Sequence, residues 1–200
     1  MILSIDTTSE FGSIALTEAN VVVEEVGLQS PEGFGHVLFG HIQELLERRG
    51  TTVHQMECFA AASGPGSFTG VRVGLAAAKG LAEAAGKRVV AVSNLRALAS
   101  FGTSPLRATM IDARRGEIYG AVYNSRLELV MPEVVLKLEN WLATLPAGCE
   151  VISTVGAPRA LAAAIGHIAW DEFTLGHSSD PAEIDANYVR RSDAELFWKE

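Results

Sequence analysis

The residues with the clearest chemical potential lie in two short segments of the first half. Asp6-Thr7-Thr8-Ser9 ends the apolar run Ile2-Leu3-Ser4-Ile5. A carboxylate followed by hydroxyls at a strand end suits either a phosphate loop or a capped turn. Ser63-Gly64-Pro65-Gly66-Ser67-Phe68-Thr69-Gly70-Val71-Arg72-Val73-Gly74 then joins a short apolar run to a helical one. Glycines there permit a tight turn and close backbone approach. Free N–H groups at the start of the helix could cradle an anion. No Gly-Lys-Ser/Thr follows at the spacing of a P-loop. Ser67 sits in Pro-Gly-Ser-Phe-Thr, which is not the Gly-x-Ser-x-Gly of a nucleophile elbow.

Asp112 and Glu117 could form a paired-carboxylate acid/base site, or stabilise a turn and face solvent, since they flank Arg114, Arg115 and Gly116. Among the five histidines, His36 and His41 lie closest together. Their i, i+5 spacing splays the side chains by about 140° on a helix. No metal site is expected from them, and no cofactor is called for.

The elements that position these residues follow from periodicity. Ile2–Ile5, Ser13–Thr17 and Val21–Val26 read as three strands with tight connections, an antiparallel start to a sheet. Phe34, Val37, Leu38, His41, Ile42 and Leu45 share one helical face, which predicts a helix over about 33–49 with Gly50 as its stop. Phe59–Ala62 is a buried strand that delivers the glycine-rich turn. A helix follows from Ser67 or Thr69 to Ala85, ended by Gly86. Val89–Val92 is a strand, and Ser93 N-caps a helix toward Ser100.

After Gly102-Thr103-Ser104-Pro105 the order restarts. Strands are expected at 108–111, 118–123 and 127–136, the last interrupted by Pro132. A short helix at 139–145, a strand at 151–155, a helix at 158–165 and a polar, partly helical tail from Asp180 complete the chain. The order β-β-β-α-β-α-β-α, then β-β-β-α-β-α, implies an α/β fold with a mixed sheet in each of two lobes. The lobes are expected at residues 1–102 and 103–200.

The second helix carries a further signal. Gly70, Gly74, Ala78 and Ala82 recur every fourth residue, a smooth stripe that admits close helix approach, and only Arg72, Lys79 and Glu83 make a polar face. A helix apolar most of the way round must be covered on more than one side. Its own sheet covers one. The other falls to the preceding helix or to a partner polypeptide.

Composition bounds the rest. Hydrophobic residues make up 48% of the 200 and charged residues 20%, enough for a real core. The net charge of −8 disfavours direct gripping of a nucleic-acid backbone, despite the short clusters Arg114–Arg115 and Arg190–Arg191. Cys58 and Cys149 form no CxxC, and no apolar run reaches the roughly 18 residues of a membrane helix. A cytosolic protein without a disulfide framework is expected.

Several segments together resemble the TsaB (YeaZ) family, the dimerisation subunit of the bacterial tRNA threonylcarbamoyladenosine machinery. They are Ile2-Leu3-Ser4-Ile5-Asp6-Thr7, the Gly64–Gly74 motif, Ile111-Asp112-Ala113-Arg114-Arg115-Gly116-Glu117-Ile118-Tyr119, and Tyr188-Val189-Arg190. The resemblance implies an actin-like (ASKHA, ribonuclease H-like) two-lobe fold. It implies pairing with the related catalytic subunit TsaD, work with the ATPase TsaE, and homodimers of the isolated subunit through the same two N-lobe helices.

On that basis Phe34, Leu38, Phe39 and Val71 are the expected partner anchors, with Gly70, Gly74 and Ala78 allowing close approach. A Gly74→Leu substitution is then expected to abolish pairing in a folded monomer. The catalytic relative carries a His-x-x-x-His pair where this chain has Asn94 and Leu98. The expected function is therefore a non-catalytic scaffold that positions TsaD for threonylcarbamoyl transfer to N6 of adenosine 37 in tRNAs reading ANN codons, with tRNA met only through the complex. A metal-dependent peptidase, an actin-like ATPase or kinase, and an interaction module unrelated to tRNA are the alternatives.

Overall fold

A computed structural model describes residues 1–156 and 160–189. Pro158, Arg190 and Arg191, which figure in the expectations above, lie outside the described residues.

Five strands make the first sheet: β1 (Ile2–Asp6), β2 (Gly12–Glu18), β3 (Val21–Leu28), β4 (Cys58–Gly64) and β5 (Arg88–Ser93), in the order β3-β2-β1-β4-β5. β1 pairs antiparallel with β2 and parallel with β4, and β4 is parallel to β5. The β2–β3 turn has Ala19 and Asn20 at φ 46° and 62°, the left-handed pair that suits the twist of a two-residue hairpin.

The central strands are buried on both faces, and their side chains divide by strict alternation. Leu3, Ile5, Phe59 and Ala61 point to one side, where α1 (Leu38–Arg48) and α2 (Phe68–Ala85) cover them. Ile2, Cys58, Ala60 and Ala62 point to the other, beneath α3 (Asn94–Ala99) and α5 (Ala162–Thr174).

The second sheet comprises β6 (Leu106–Arg114), β7 (Glu117–Asn124), β8 (Leu129–Lys137) and β9 (Glu150–Ser153), in the order β8-β7-β6-β9, with α4 (Leu138–Thr144) packing Trp141 against it. Each lobe thus places its first strand between its second and fourth, the actin-like arrangement. Pro132 is tolerated because β8 is an edge strand and the register slips there: Gly120 faces Val134 whereas Val122 faces Met131.

Two expectations need correction. The helix expected from about residue 33 begins as a 3-10 turn at Phe34–His36, and the α-helix starts at Leu38. Gly33 stands at φ 91°, no side chain caps either start, and Gly35 follows, so the first turn lacks α-helical support. The last helix, expected at 158–165, instead runs Ala162–Thr174. Leu161, at its N-cap, has no capping side chain of its own. The sheet supplies the caps: Ser13 Oγ accepts from the N–H groups of Leu161 and Ala162, and Glu25 accepts from that of Ala163.

Gly166 lets α5 lie close on β1 and β2, where an added Cβ would stand 2.3 Å from Thr17 Oγ1. A division at residue 102 therefore separates the two sheets but not the two cores, because α5 returns to the first sheet. Residues 176–189 continue as a strap along the first lobe: Val89 and Ser179 exchange backbone hydrogen bonds, and Ile184 enters the core under α2.

Candidate interaction surface

The glycine-rich turn is built around the end of β1. Ser67 N–H donates to the Thr8 carbonyl, and Thr7 Oγ1 donates to the Gly70 carbonyl at 2.6 Å. A Cβ on Gly66 would stand 2.7 Å from Thr8 O, one on Gly70 1.9 Å from Thr7 O, and one on Gly74 2.7 Å from Thr7 Oγ1. These glycines exist because helix α2 lies directly on the 7–8 backbone, a closeness no side chain would allow. Ser67 caps the helix through Gly70 N–H, and Gly86 ends it in the left-handed conformation, both as the sequence indicates.

A buried polar chain supports the turn. Asp6 Oδ1 accepts from the Thr8 N–H at 2.9 Å and from the Thr8 hydroxyl at 2.6 Å. Asn94 Nδ2 donates to Thr8 Oγ1 at 2.6 Å, and its Oδ1 accepts from Gly64 N–H at 3.0 Å. Burial pushes the Asp6 carboxyl above the usual carboxylate range, with the Thr8 and Asn94 hydrogen bonds pulling the other way. Its second oxygen, Oδ2, has no protein partner among the described residues. Sequence reasoning missed the bridging role of Asn94, and spacing alone gives no hint of it.

The residues expected to anchor a partner separate sharply. Phe34, Leu38, Val71 and Ala78 belong to the chain's own core, and Gly70 and Gly74 are buried against β1. The small-residue stripe faces the sheet, not another polypeptide, because close helix–sheet packing needs the same absence of side chains. Only Phe39 of the set stands out, 56% exposed. Phe68, not among the expected anchors, is 53% exposed at the start of α2, beside exposed Thr69 and Arg72. Since α1 and α2 cover the same face of the first sheet, their outer sides look out together.

The polar face of α2 holds the strap. Arg72 Nε and Nη2 donate to Tyr188 Oη at 3.2 and 3.1 Å, and Lys79 Nζ donates to the Ile184 carbonyl at 2.9 Å. The Arg72 guanidinium also lies 3.8 Å over the Phe68 ring, a cation–π contact, and the Phe68 and Tyr188 rings are 6.2 Å apart. An exposed cluster of two aromatics and a cation results.

The second-lobe motif is a hairpin device. Arg114, Arg115 and Gly116 all have positive φ, and Asp112 Oδ1 accepts the Arg114 N–H at 2.8 Å. Asp112 is thus engaged at the turn, with Glu117 opening the next strand. Asn94 and Leu98 are both buried. The Cys58 thiol is pushed up to about 12 by burial. Among the described residues, no helix is long and apolar enough to cross a membrane.

Known proteins share this arrangement. Residues 34–166 match the family model "TsaD: tRNA N6-adenosine threonylcarbamoyltransferase". The tRNA threonylcarbamoyladenosine biosynthesis protein TsaB of Bacillus subtilis is 34% identical, with all of this chain and 98% of that protein aligned. The protein of the same name in Escherichia coli is 38% identical over 61% of this chain and 54% of its own length. In structure, YeaZ from Pseudomonas aeruginosa superposes with a TM-score of 0.80 at 26% identity, covering 94% of this chain and 98% of that one. Sequence similarity along the whole chain and a shared two-sheet architecture agree: the chain belongs to the TsaB family.

Proposed function

We propose that this chain is a non-catalytic, cytoplasmic subunit of the complex that transfers threonylcarbamoyl to N6 of adenosine 37 in tRNAs reading ANN codons. It pairs with TsaD through the outer faces of α1 and α2, works with TsaE, meets tRNA only through the assembly, and forms homodimers through the same faces when alone. The observation that carries this reading is the outer surface of the first lobe. Phe39 and Phe68 are more than half exposed there, while the glycines beneath are spent on the chain's own backbone. Burying such aromatics against a partner removes apolar area from water.

Other features support the reading. The turn that could cradle a phosphate is occupied from within, with Ser67 N–H given to Thr8 and Gly70 N–H to Ser67. The Asn94 amide is committed to Gly64 and Thr8, which weighs against a metal-dependent peptidase. The net charge of −8 suits contact with tRNA through a partner.

Size-exclusion chromatography with light scattering, alone and with TsaD of the same organism, tests the proposal. A Phe39→Asp/Phe68→Asp variant is expected to elute as a folded monomer and to fail to join TsaD. Co-elution at wild-type stoichiometry would overturn it.

A further inference from the structure

The strap that contributes Tyr188 to the aromatic cluster is also held by the second lobe, through one carboxylate. Glu133 lies on edge strand β8 at the register slip next to Pro132. Bulges of this kind re-aim a side chain out of the regular alternation. Glu133 Oε1 accepts from the Tyr123 hydroxyl at 2.8 Å and from the Ser93 hydroxyl, and Oε2 accepts from Asn187 Nδ2 at 2.6 Å. Ser93 belongs to the first lobe, Tyr123 to the second, and Asn187 to the strap. Burial, and then proximity to Glu133, raise the Tyr123 hydroxyl, which keeps it a donor.

Asn187 is gripped from both sides. Its backbone N–H donates to the Ser63 carbonyl at 2.8 Å, at the root of the glycine-rich turn, while its side chain reaches Glu133. Tyr188, the next residue, meets Arg72 and stacks near Phe68. The path from the second sheet to the exposed surface of α2 is therefore Glu133, Asn187, Tyr188, Phe68. Beside it an open cleft of about 430 Å³ separates the lobes, lined by Ser63, Ser93, Arg96, Tyr123 and Glu133 among others. The lobes also meet through a buried apolar contact, Leu95 and Ala99 of α3 against Ala121 and Tyr123 of β7, and Glu133 bridges both lobes beside it through Ser93 and Tyr123. Hydrogen bonds to an ionised acceptor are stronger than neutral ones.

We propose that Glu133 couples the arrangement of the two lobes to the partner surface, fixing Asn187 and so presenting Tyr188 beside Phe68. This rests on the reading of that surface as the site where TsaD binds. With the clamp engaged, the strap is ordered before binding and the partner meets a preformed aromatic cluster. With the clamp released, Tyr188 must be ordered at the cost of affinity.

Two measurements test it. In the isolated chain, hydrogen–deuterium exchange at the backbone N–H of residue 187 is expected to rise at least tenfold in Glu133→Ala and in Asn187→Ala; unchanged exchange would overturn the coupling without reference to any partner. In titrations with TsaD, each variant is expected to bind about tenfold more weakly, and the double variant no more weakly than the worse single, the signature of residues acting as a unit. Additive losses, or wild-type affinity in both, would sink the clamp. A parallel Phe68→Asp arm separates the failures. If Phe68→Asp weakens binding and the clamp variants do not, the surface stands and the coupling falls. If Phe68→Asp also binds as wild type, the surface reading falls and takes the coupling with it. Asn187→Ala alone serves if Glu133→Ala does not fold, as judged by circular dichroism.

Discussion

A Cβ atom on Gly70 would stand 1.9 Å from the carbonyl oxygen of Thr7. No rotamer relieves that clash, because both atoms are fixed by backbone. Gly70→Ala must push α2 off the end of β1, and the loss of stability should be about 3 kcal/mol, at the upper end for overpacked cores. Urea unfolding followed by circular dichroism measures it. The same geometry revises the expectation for Gly74. Its Cβ would meet Thr7 Oγ1 at 2.7 Å, so Gly74→Leu is expected to destabilise the monomer itself rather than a partner contact.

That revision marks where the sequence stops being informative. The four-residue spacing of Gly70, Gly74, Ala78 and Ala82 is legible, and so is the close packing it requires. What the stripe packs against is not legible, since a helix partner and a sheet ask for the same small residues. Element order was readable because β1 and β4 are short apolar runs that end in turn residues and α2 is a longer one closed by Gly86. The start of α5 was not, because its caps come from Ser13 and Glu25, more than a hundred residues away in the chain. The Glu133 clamp was invisible for the same reason: no local pattern ties Ser93, Tyr123 and Asn187 to one carboxylate.

Asp6 offers a pH test. Its carboxyl is buried and its pKa lies above the unfolded value. The folded state therefore binds this proton more tightly than the unfolded chain does. The contribution of Asp6 is most favourable below the unfolded pKa, near 3.8, and is lost as pH rises through the folded value. Asp6→Asn retains an acceptor for Thr8 and does not ionise. The variant should gain stability relative to the parent as pH is raised from 3 to 8. Parallel urea melts across that range measure the difference; a variant that loses stability relative to the parent as pH rises would contradict the assigned direction.

Thr17 carries a fully buried hydroxyl with no hydrogen-bond partner among the described residues. Its Oγ1 faces the tight contact with Gly166 of α5. Replacing it by valine keeps the shape and removes a desolvated polar group. Thr17→Val is expected to stabilise the fold by about 1 kcal/mol, read as a rise in melting temperature. A fall in melting temperature would mean that the hydroxyl has a partner the described contacts do not include.

Lys79 gives the last test, because it separates holding the strap from building the core. Its ammonium reaches the Ile184 carbonyl at 2.9 Å. Lys79→Met keeps the stem and deletes the charge-assisted hydrogen bond, a loss of about 1.5 kcal/mol. That energy ties down residues 184–188 and not the sheet, since Ile184 packs under α2 independently of the ammonium. Limited proteolysis should therefore cut the variant within the strap several times faster than the parent, while the global melting temperature falls by only a few degrees. Equal cleavage rates would show that the Ile184 side chain alone secures the segment, and a collapse of the melting temperature would show that the strap and the first sheet unfold as one unit.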